Sequence, residues 1–418
     1  MMQHSPTLTR RHWLLGSAVV GLVATLGLTG IRHKWSSPST IAAAAEDKIP
    51  FLGMHQAGIT TPMPAAALVV ALDTTAKTLG ELKQLFQILT QRIQFLMAGG
   101  TPEPRDPKYP PNDSGILGPT FEPDDLTVTV AVGASLFDQR FGLTDLKPKE
   151  LTTMPNFPND RLDPSLCHGD LLLQFCANHD ETTIHALRDI LKHLSGLVVL
   201  RWQLAGFQQP DADPHPKRTS VRNLMGFKDG TANPNPADRK LMDQLVWVSE
   251  GNNEPAWAVG GSYQVVRVIR MFVEFWDRTP LDEQEQIIGR QKDSGAPLGM
   301  RKEEDSPNYT RDPKGLTIPL DAHIRLANPR TSETDANRIL RNGFHYSRGI
   351  DQAGQLDMGL LFICFQQDLQ RGFATVQNRL NGEPLEEYIK PIGGGYFFVL
   401  PGVQSADTYL GSALFAAA

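Results

Sequence analysis

The stretch AAALVVALDTTAKTLGELKQLFQILTQRIQFLM, residues 65–97, decides the fold. Ala65 to Leu72 is a short, continuous apolar run and predicts a buried strand. Straight after it, Leu79, Leu82, Leu85, Phe86, Leu89, Ile93 and Leu96 recur at helical spacing and mark one apolar face. A Pro-rich loop from Thr101 to Pro123 follows. Leu126 to Val132 then alternates as a half-buried strand, and Leu171 to Cys176 reads as another. Ile184, Leu187, Ile190, Leu191 and Leu194 mark a second helix, and Leu197 to Leu204 a fourth strand. The order β-α-β, β-α-β predicts a ferredoxin-like unit of the α+β class.

The second half repeats this grammar. Gln208 to Thr219 carries three prolines and several charges and reads as a linker. Tyr263 to Trp276 predicts a long strand, Pro280 to Arg290 a short helix, and Gly359 to Phe365 a buried strand. Phe373, Val376 and Leu380 face one side of a helix, and Tyr396 to Leu400 closes as a strand. Gly393-Gly394-Gly395 reads as a tight turn before that strand. Cys176-Ala177-Asn178-His179-Asp180 and Cys364-Phe365-Gln366-Gln367-Asp368 each end a strand with Cys and begin a helix with Asp as N-cap. That pairing points to duplicated halves. Residues 277 to 330 form a long excursion with little periodicity, of the kind that is often functional.

Composition bounds the function. A 40% hydrophobic, 21% charged chain of 418 residues is ordinary for a globular protein and long enough for two domains. The net charge of −6, with basic residues dispersed, leaves no nucleic-acid footprint. Residues 1–45 read as an address. Thr9-Arg10-Arg11-His12-Trp13-Leu14-Leu15 resembles a twin-arginine export signal, an uncharged run follows from Trp13 to Gly30, and Ala42 to Ala45 offers a cleavage site. The run is too rich in Gly, Ala, Ser and Thr to favour a retained anchor. A periplasmic location follows as the expectation. Cys176 and Cys364 end apolar runs, so buried free thiols are expected, and the absence of C-x-x-C-H argues against covalent haem attachment.

Three segments carry chemistry. In Gly226-Phe227-Lys228-Asp229-Gly230-Thr231-Ala232-Asn233-Pro234, two glycines permit the tight backbone that presents one carboxylate. Leu320-Asp321-Ala322-His323-Ile324-Arg325-Leu326-Ala327-Asn328-Pro329-Arg330 sets a histidine in an apolar-flanked segment. Arg338-Ile339-Leu340-Arg341-Asn342-Gly343-Phe344 contributes an arginine. Together they resemble the signature of the dye-decolourising (DyP-type) peroxidases, a haem enzyme family. With Pro50 to Ile59 and the export signal, the likeness extends over nearly the whole mature chain to a Tat-exported deferrochelatase/peroxidase subgroup.

The resemblance implies two ferredoxin-like domains, here 46–215 and 216–418, with haem in the second. It implies one non-covalent haem b per chain, His323 as axial ligand, and Asp229 and Arg341 on the opposite face. Asp229 would move a proton between peroxide oxygens, and Arg341 would stabilise developing negative charge. Gly230, Thr231, Ala232, Asn328, Pro329 and Arg330 would contact the cofactor, Arg330 through a propionate. Asp368 is the candidate acceptor for the second ring N–H of His323, with a plain helix N-cap as the equal alternative. Phe272, Phe275, Phe362 and Phe365 are candidate wall residues against a core alternative, and His55 is a candidate neighbour of haem or iron. The expected partners are hydrogen peroxide, a reducing substrate, haem, a ferrous-iron uptake system and a second copy of the chain in a dimer. The subgroup implies a second activity, release of iron from haem with the porphyrin left intact. Trp202, Trp247, Trp257, Tyr263 and Tyr309 are open alternatives for electron relay. Two rival functions remain: a haem-binding or haem-delivery protein without turnover, and a thiol or metal enzyme built on Cys167 and Cys176 with His168 and His179 nearby.

Overall fold

A computed structural model describes residues 48–209 and 221–418. The export signal and most of the Pro-rich linker lie outside the described residues. The first half runs β1 (Ala66–Thr74), α1 (Leu79–Ala98), β2 (Thr127–Gly133), β3 (Leu171–Ala177), α2 (Asp180–His193) and β4 (Val198–Phe207). The second runs α3 (Arg239–Leu245), β5 (Ser262–Met271), α4 (Val273–Trp276), α5 (Leu281–Ile288), α6 (His323–Ala327), β6 (Leu340–Arg341), β7 (Phe344–Ile350), β8 (Leu356–Gln366), α7 (Thr375–Leu380), β9 (Ile389–Val399) and α8 (Ser412–Ala417).

Each half is an antiparallel ferredoxin-like sheet. The first has the order β4-β1-β3-β2, and the second β9-β5-β8-β7, the same arrangement of first, second, third and fourth strands. The halves join at both edges. Ala131, Val132 and Gly133 of β2 pair with Val399, Phe398 and Phe397 of β9. Phe207 of β4 pairs with His345 of β7. The eight long strands therefore close a circuit.

Alternation along the strands divides the core in two. Leu68, Val70 and Leu72 of β1 pack into the cluster that buries α1 and α2, while Ala67, Val69 and Ala71 enter a second cluster with β5, β8 and β9 residues. That two-sided burial explains the unbroken apolar run in the sequence. Helix α1 starts where the Thr78 hydroxyl accepts the Glu81 N–H at 3.1 Å, and Glu81 in turn accepts the Lys77 N–H at 2.6 Å. The expected face is buried: Leu82, Leu85, Phe86, Leu89, Ile93 and Leu96 are wholly covered. Each contributes about 1.5–3 kcal/mol relative to exposure.

Several boundaries differ from the sequence expectation. Ile184 of α2 is 45% exposed. The helix instead turns Asp189 inward, because the Arg92 guanidinium of α1 holds its carboxylate with two bonds of 2.7 and 2.8 Å. Strand β5 stops at Met271: after one further bond in the same register, from the Phe272 N–H to the Tyr388 carbonyl, the chain turns into α4. Gly393, Gly394 and Gly395 are inside β9, not in a turn. A side chain at Gly394 would lie 1.9 Å from the Val266 carbonyl oxygen, so glycine is required by close backbone approach beside a register shift. Asp180 lies in the first turn of α2, whose N-cap is His179. Cys167, Cys176 and Cys364 are buried free thiols, and the last two sit in β3 and β8, the third strands of their halves.

Candidate active site

The loop after residue 220 is a tight hairpin. Asn223 accepts the N–H groups of Met225 and Phe227 at 3.1 Å each, and Arg222 and Lys228 pair as a bridge. Gly226 and Gly230 take φ of +85° and +93°, conformations that a side chain would strain. The Arg222 guanidinium ties the hairpin to the carbonyls of Lys292 and Asp293. The loop thus delivers Asp229 at a fixed place.

Arg341 reaches the same place from β6. Its register is set by the pairing Arg341↔Cys364 with β8, so it is a strand residue rather than part of a helical Arg338/Arg341 face. Asn233 brackets it: the side-chain oxygen accepts the Arg341 N–H and the side-chain amide donates to the Arg341 carbonyl, both at 2.9 Å. Arg341 Nη1 then donates to Asp229 Oδ1 at 2.9 Å. About a third of each side chain is accessible, 32% and 34%, and that exposure is to a deep cavity. Burial pushes the Asp229 carboxyl up. The Arg341 charge and hydrogen bond, the Gly230 N–H and the His323 charge outweigh it and hold the group below its ordinary value.

His323 opens α6 on the wall of that cavity. Its Nδ1 lies 2.8 Å from Glu383 Oε2. Glu383 is 4% exposed in its side chain, so a carboxylate is buried to face this imidazole. Burial lowers the His323 pKa, but the Glu383 charge and hydrogen bond prevail and the net shift is upward. Nδ1 donating to Glu383 leaves Nε2 as the ring's lone-pair nitrogen. Asp368 does not fill this role. Its carboxylate accepts the Arg371 N–H at 2.7 Å at the start of a turn, and it lies against Glu150.

The cavity encloses about 280 Å³ in the second half, with Asn159 its one lining residue from the first half. Met225, Phe227, Ile288, Ile324, Phe362 and Phe373 supply apolar wall. Gly230, Thr231, Ala232, Asn328 and Arg330 line it too, as does Arg290. Pro329 does not line it; Pro329 sits in the turn that brings Arg330 to φ +58°. Thr231 bonds Glu303 at 2.8 Å. A second, polar cavity of about 330 Å³ shares Thr231, Ala232, Arg290, Asn328, Arg330 and Arg338 with the first. Arg330 donates from Nη1 to Ser306 at 2.8 Å, yet its buried Nε has no protein partner. Burial, and then the charge of Arg330, lower the pKa of the Arg290 guanidinium. Two crowded cations and an unmet donor at the margin of an apolar chamber suit an anionic group on an apolar body. A carboxylate-backed imidazole in the same chamber suits a metal. The residues therefore fit a haem.

Other expected contributors lie elsewhere. Phe272 precedes α4, Phe275 is 47% exposed and Phe365 is fully buried between the sheets; of the four phenylalanines only Phe362 lines the cavity. His55 stacks on Trp247 with centroids 3.8 Å apart and donates from Nδ1 to the Gly260 carbonyl, away from the cavity lining. His179 pairs with Asp124 at 2.9 Å. Glu383 carried no local signal in the sequence, whereas Asn233 stood inside the quoted loop with its role unread.

Comparisons with known proteins give the family. Residues 56–208 match the family model for the N-terminal part of Dyp-type peroxidases, and residues 220–404 match the model for the C-terminal part. A deferrochelatase of Escherichia coli K12 is 55% identical over 401 residues, 95% of this chain and 95% of that protein. One from Yersinia pestis is 55% identical over 410 residues, 97% of this chain and 94% of that protein. Ferric DtpA from Streptomyces lividans superposes with a TM-score of 0.79 at 36% identity, covering 88% of this chain and 97% of that one. A DyP-type peroxidase from Cellulomonas bogoriensis gives 0.77 at 36% identity, over 88% and 98%. With both family models met in order and relatives of such identity spanning almost the full length, the chain belongs to the Dyp-type peroxidase family and is a haem peroxidase.

Proposed function

We propose that the protein holds haem b non-covalently through His323 and reduces hydrogen peroxide at Asp229 and Arg341. One arrangement supports this reading: the His323–Glu383 pair at 2.8 Å and the Asp229–Arg341 pair at 2.9 Å open onto one cavity. When bound, haem supplies the iron at which peroxide is reduced and stores the oxidising equivalents. Donation from His323 Nδ1 to Glu383 makes Nε2 a strong ligand. Arg290 and Arg330 are suited to the two propionates. The Asp229 carboxylate, held ionised, takes a proton from one peroxide oxygen and returns it to the other, which leaves as water. Arg341 faces the charge that develops on that departing oxygen and, being a guanidinium, stays cationic throughout.

Finer parts of the function rest on weaker support. The relatives named deferrochelatase bring the proposal of a second activity, removal of iron from haem with the porphyrin intact. Thr9 to Leu15 supports twin-arginine export and a periplasmic site of action. Bulky reductants, a ferrous-iron uptake system and a dimer are further proposals.

The test uses haem-loaded protein. Asp229→Asn with Arg341→Leu should abolish peroxide turnover while the Soret band of bound haem stays, and His323→Ala should lose that band. Unchanged turnover in the double variant refutes the assignment. A wild-type protein that binds haem and turns over no peroxide would be a haem-delivery protein instead.

A further inference from the structure

We propose that Glu303 is a positioning residue that clamps the Asp229 loop and couples it to the ligand held at Arg290, a proposal that rests on the haem peroxidase reading above. Asp229 stands on a loop, and its contact with Arg341 is no firmer than that loop. Residues 289–305 are what the loop rests on. At one end the Arg222 guanidinium meets the carbonyls of Lys292 and Asp293. Glu303 makes the contact at the other end, and it does so on both sides of Asp229.

Its two carboxylate oxygens have separate partners. Oε2 accepts from Lys228 Nζ at 2.5 Å, one residue before Asp229, and Oε1 accepts from the Thr231 hydroxyl at 2.8 Å, two residues after it. The Glu303 side chain is 9% exposed and that of Lys228 22%, so solvent screens the ion pair little. The lysine stem reaches Glu303 by running across Gly295, where a side chain would lie 2.6 Å from Lys228 Cδ. The turn that carries Glu303 is braced in its own right. The Asp305 carboxylate accepts the N–H groups of Arg301 and Lys302 at 3.1 and 2.9 Å. Gly230 lends the loop little stiffness of its own, so the holds on Lys228 and Thr231 set where the Asp229 carboxylate points.

Glu303 is also tied to a cation suited to a propionate. Its backbone carbonyl accepts from Arg290 Nη1 at 3.0 Å, and the Gly295 carbonyl accepts from the same nitrogen at 2.6 Å. Arg290 is 5% exposed and lines both cavities. It belongs to a hairpin closed by the Arg290–Pro297 bridge, and the Gly295 of that hairpin is the one the Lys228 stem crosses. Arg290, Glu303, Lys228 and Thr231 thus form one continuous set of polar contacts from the cationic margin of the chamber to Asp229. A carboxylate drawn to Arg290 fixes the guanidinium and, with it, the Glu303 carbonyl. Ordering at one end then lowers the cost of ordering at the other. Seating the cofactor therefore sets the acid before peroxide arrives.

The first arm of the test is hydrogen–deuterium exchange on the full chain, without and with hemin, in wild type, Glu303→Ala and Glu303→Gln. Hemin should slow exchange in peptides covering 221–234 by about fivefold or more in wild type and by less than about twofold in Glu303→Ala, with peptides covering 66–74 alike in both. Protection that persists in Glu303→Ala comes from direct contact with Gly230, Thr231 and Ala232 and overturns the coupling. This arm reads hemin binding alone.

The second arm is peroxide turnover by haem-loaded protein matched by Soret absorbance and melting temperature. A misplacement of about 1 Å costs about 10²-fold, and Arg222 and Asn223 still hold the stem, so kcat/KM for peroxide should fall about tenfold in Glu303→Ala. Glu303→Gln keeps an oxygen for Thr231 and should lose about threefold, while Glu304→Gln, at the exposed neighbour, should stay within about twofold. The acid limb of the pH–rate profile supplies a sign. Loss of a nearby negative charge by itself moves the limb to lower pH, whereas a loop that draws Asp229 away from Arg341 moves it to higher pH. A limb that stays or moves down overturns the positioning role. Should Glu303→Ala not fold, Glu303→Gln decides both arms. If haem-loaded wild type turns over no peroxide, the peroxidase reading itself fails, and exchange alone then judges Glu303.

Discussion

Replacing Glu383 by Gln isolates the influence of one buried charge on the ring it faces. Glu383 Oε2 lies 2.8 Å from His323 Nδ1 with 4% of its side chain exposed, so solvent screens the contact little. Glutamine keeps an oxygen acceptor of the same length and removes only the charge. Charge-assisted hydrogen bonds contribute about 1.5–3 kcal/mol and neutral ones about 0.5–1.5 kcal/mol, so the change loses about 1–1.5 kcal/mol. At about 1.4 kcal/mol per factor of ten, hemin affinity should drop about tenfold. With haem held as proposed, an electron-rich imidazole would favour ferric over ferrous iron. Losing that preference should raise the midpoint potential by about 60 mV, the one-electron equivalent of tenfold. Hemin titration reads the first quantity and spectroelectrochemistry the second. Asp368→Asn, at the position first expected to serve His323, should move neither, since its carboxylate caps the Arg371 amide. An unmoved potential in Glu383→Gln, or an equal shift in Asp368→Asn, refutes the idea that Glu383 acts on His323.

Two more outcomes follow from the distal pair and the glycine tract. Asp229 titrates below its ordinary value, so the carboxylate stays ionised above that range, and both its stabilising contribution and its reactivity are lost as pH falls through the lowered pKa. In Arg341→Leu the opposing effect of burial remains, so the acid limb of the pH–rate profile should move to higher pH, with the plateau rate down by about 10²–10³; a limb that stays put contradicts the pairing. Gly394→Ala should cost about 3 kcal/mol or more by urea denaturation, from strain at φ +118° and the clash with the Val266 carbonyl, whereas Gly354→Ala, with φ +78° and no neighbour within 4 Å, should cost about 1 kcal/mol.

Much of this was legible in the sequence where physics is local. The run Ala65 to Leu72 and the face Leu82 to Leu96 specify a strand and a helix by spacing alone, and the structure keeps both. The glycines flanking Asp229 announced a strained turn and adopt one. What was illegible depends on partners distant in the chain. Glu383 is 60 residues from His323 and resembles any other surface glutamate until the fold buries it. Asp189 displaces Ile184 from the buried face only because Arg92, on another helix, neutralises it. The three glycines of β9 read as a turn because nothing in their own segment reveals a neighbouring backbone pressed against them.

The two seams that close the circuit of strands are alike. In each, the second strand of one half meets the fourth strand of the other: β2 with β9, and β7 with β4. That is the exchange expected of a twofold symmetric pair, in which the same contact occurs twice. A lone half would present both rims as open templates for pairing. Each half therefore caps the two open rims of the other, and neither could be removed without uncovering both.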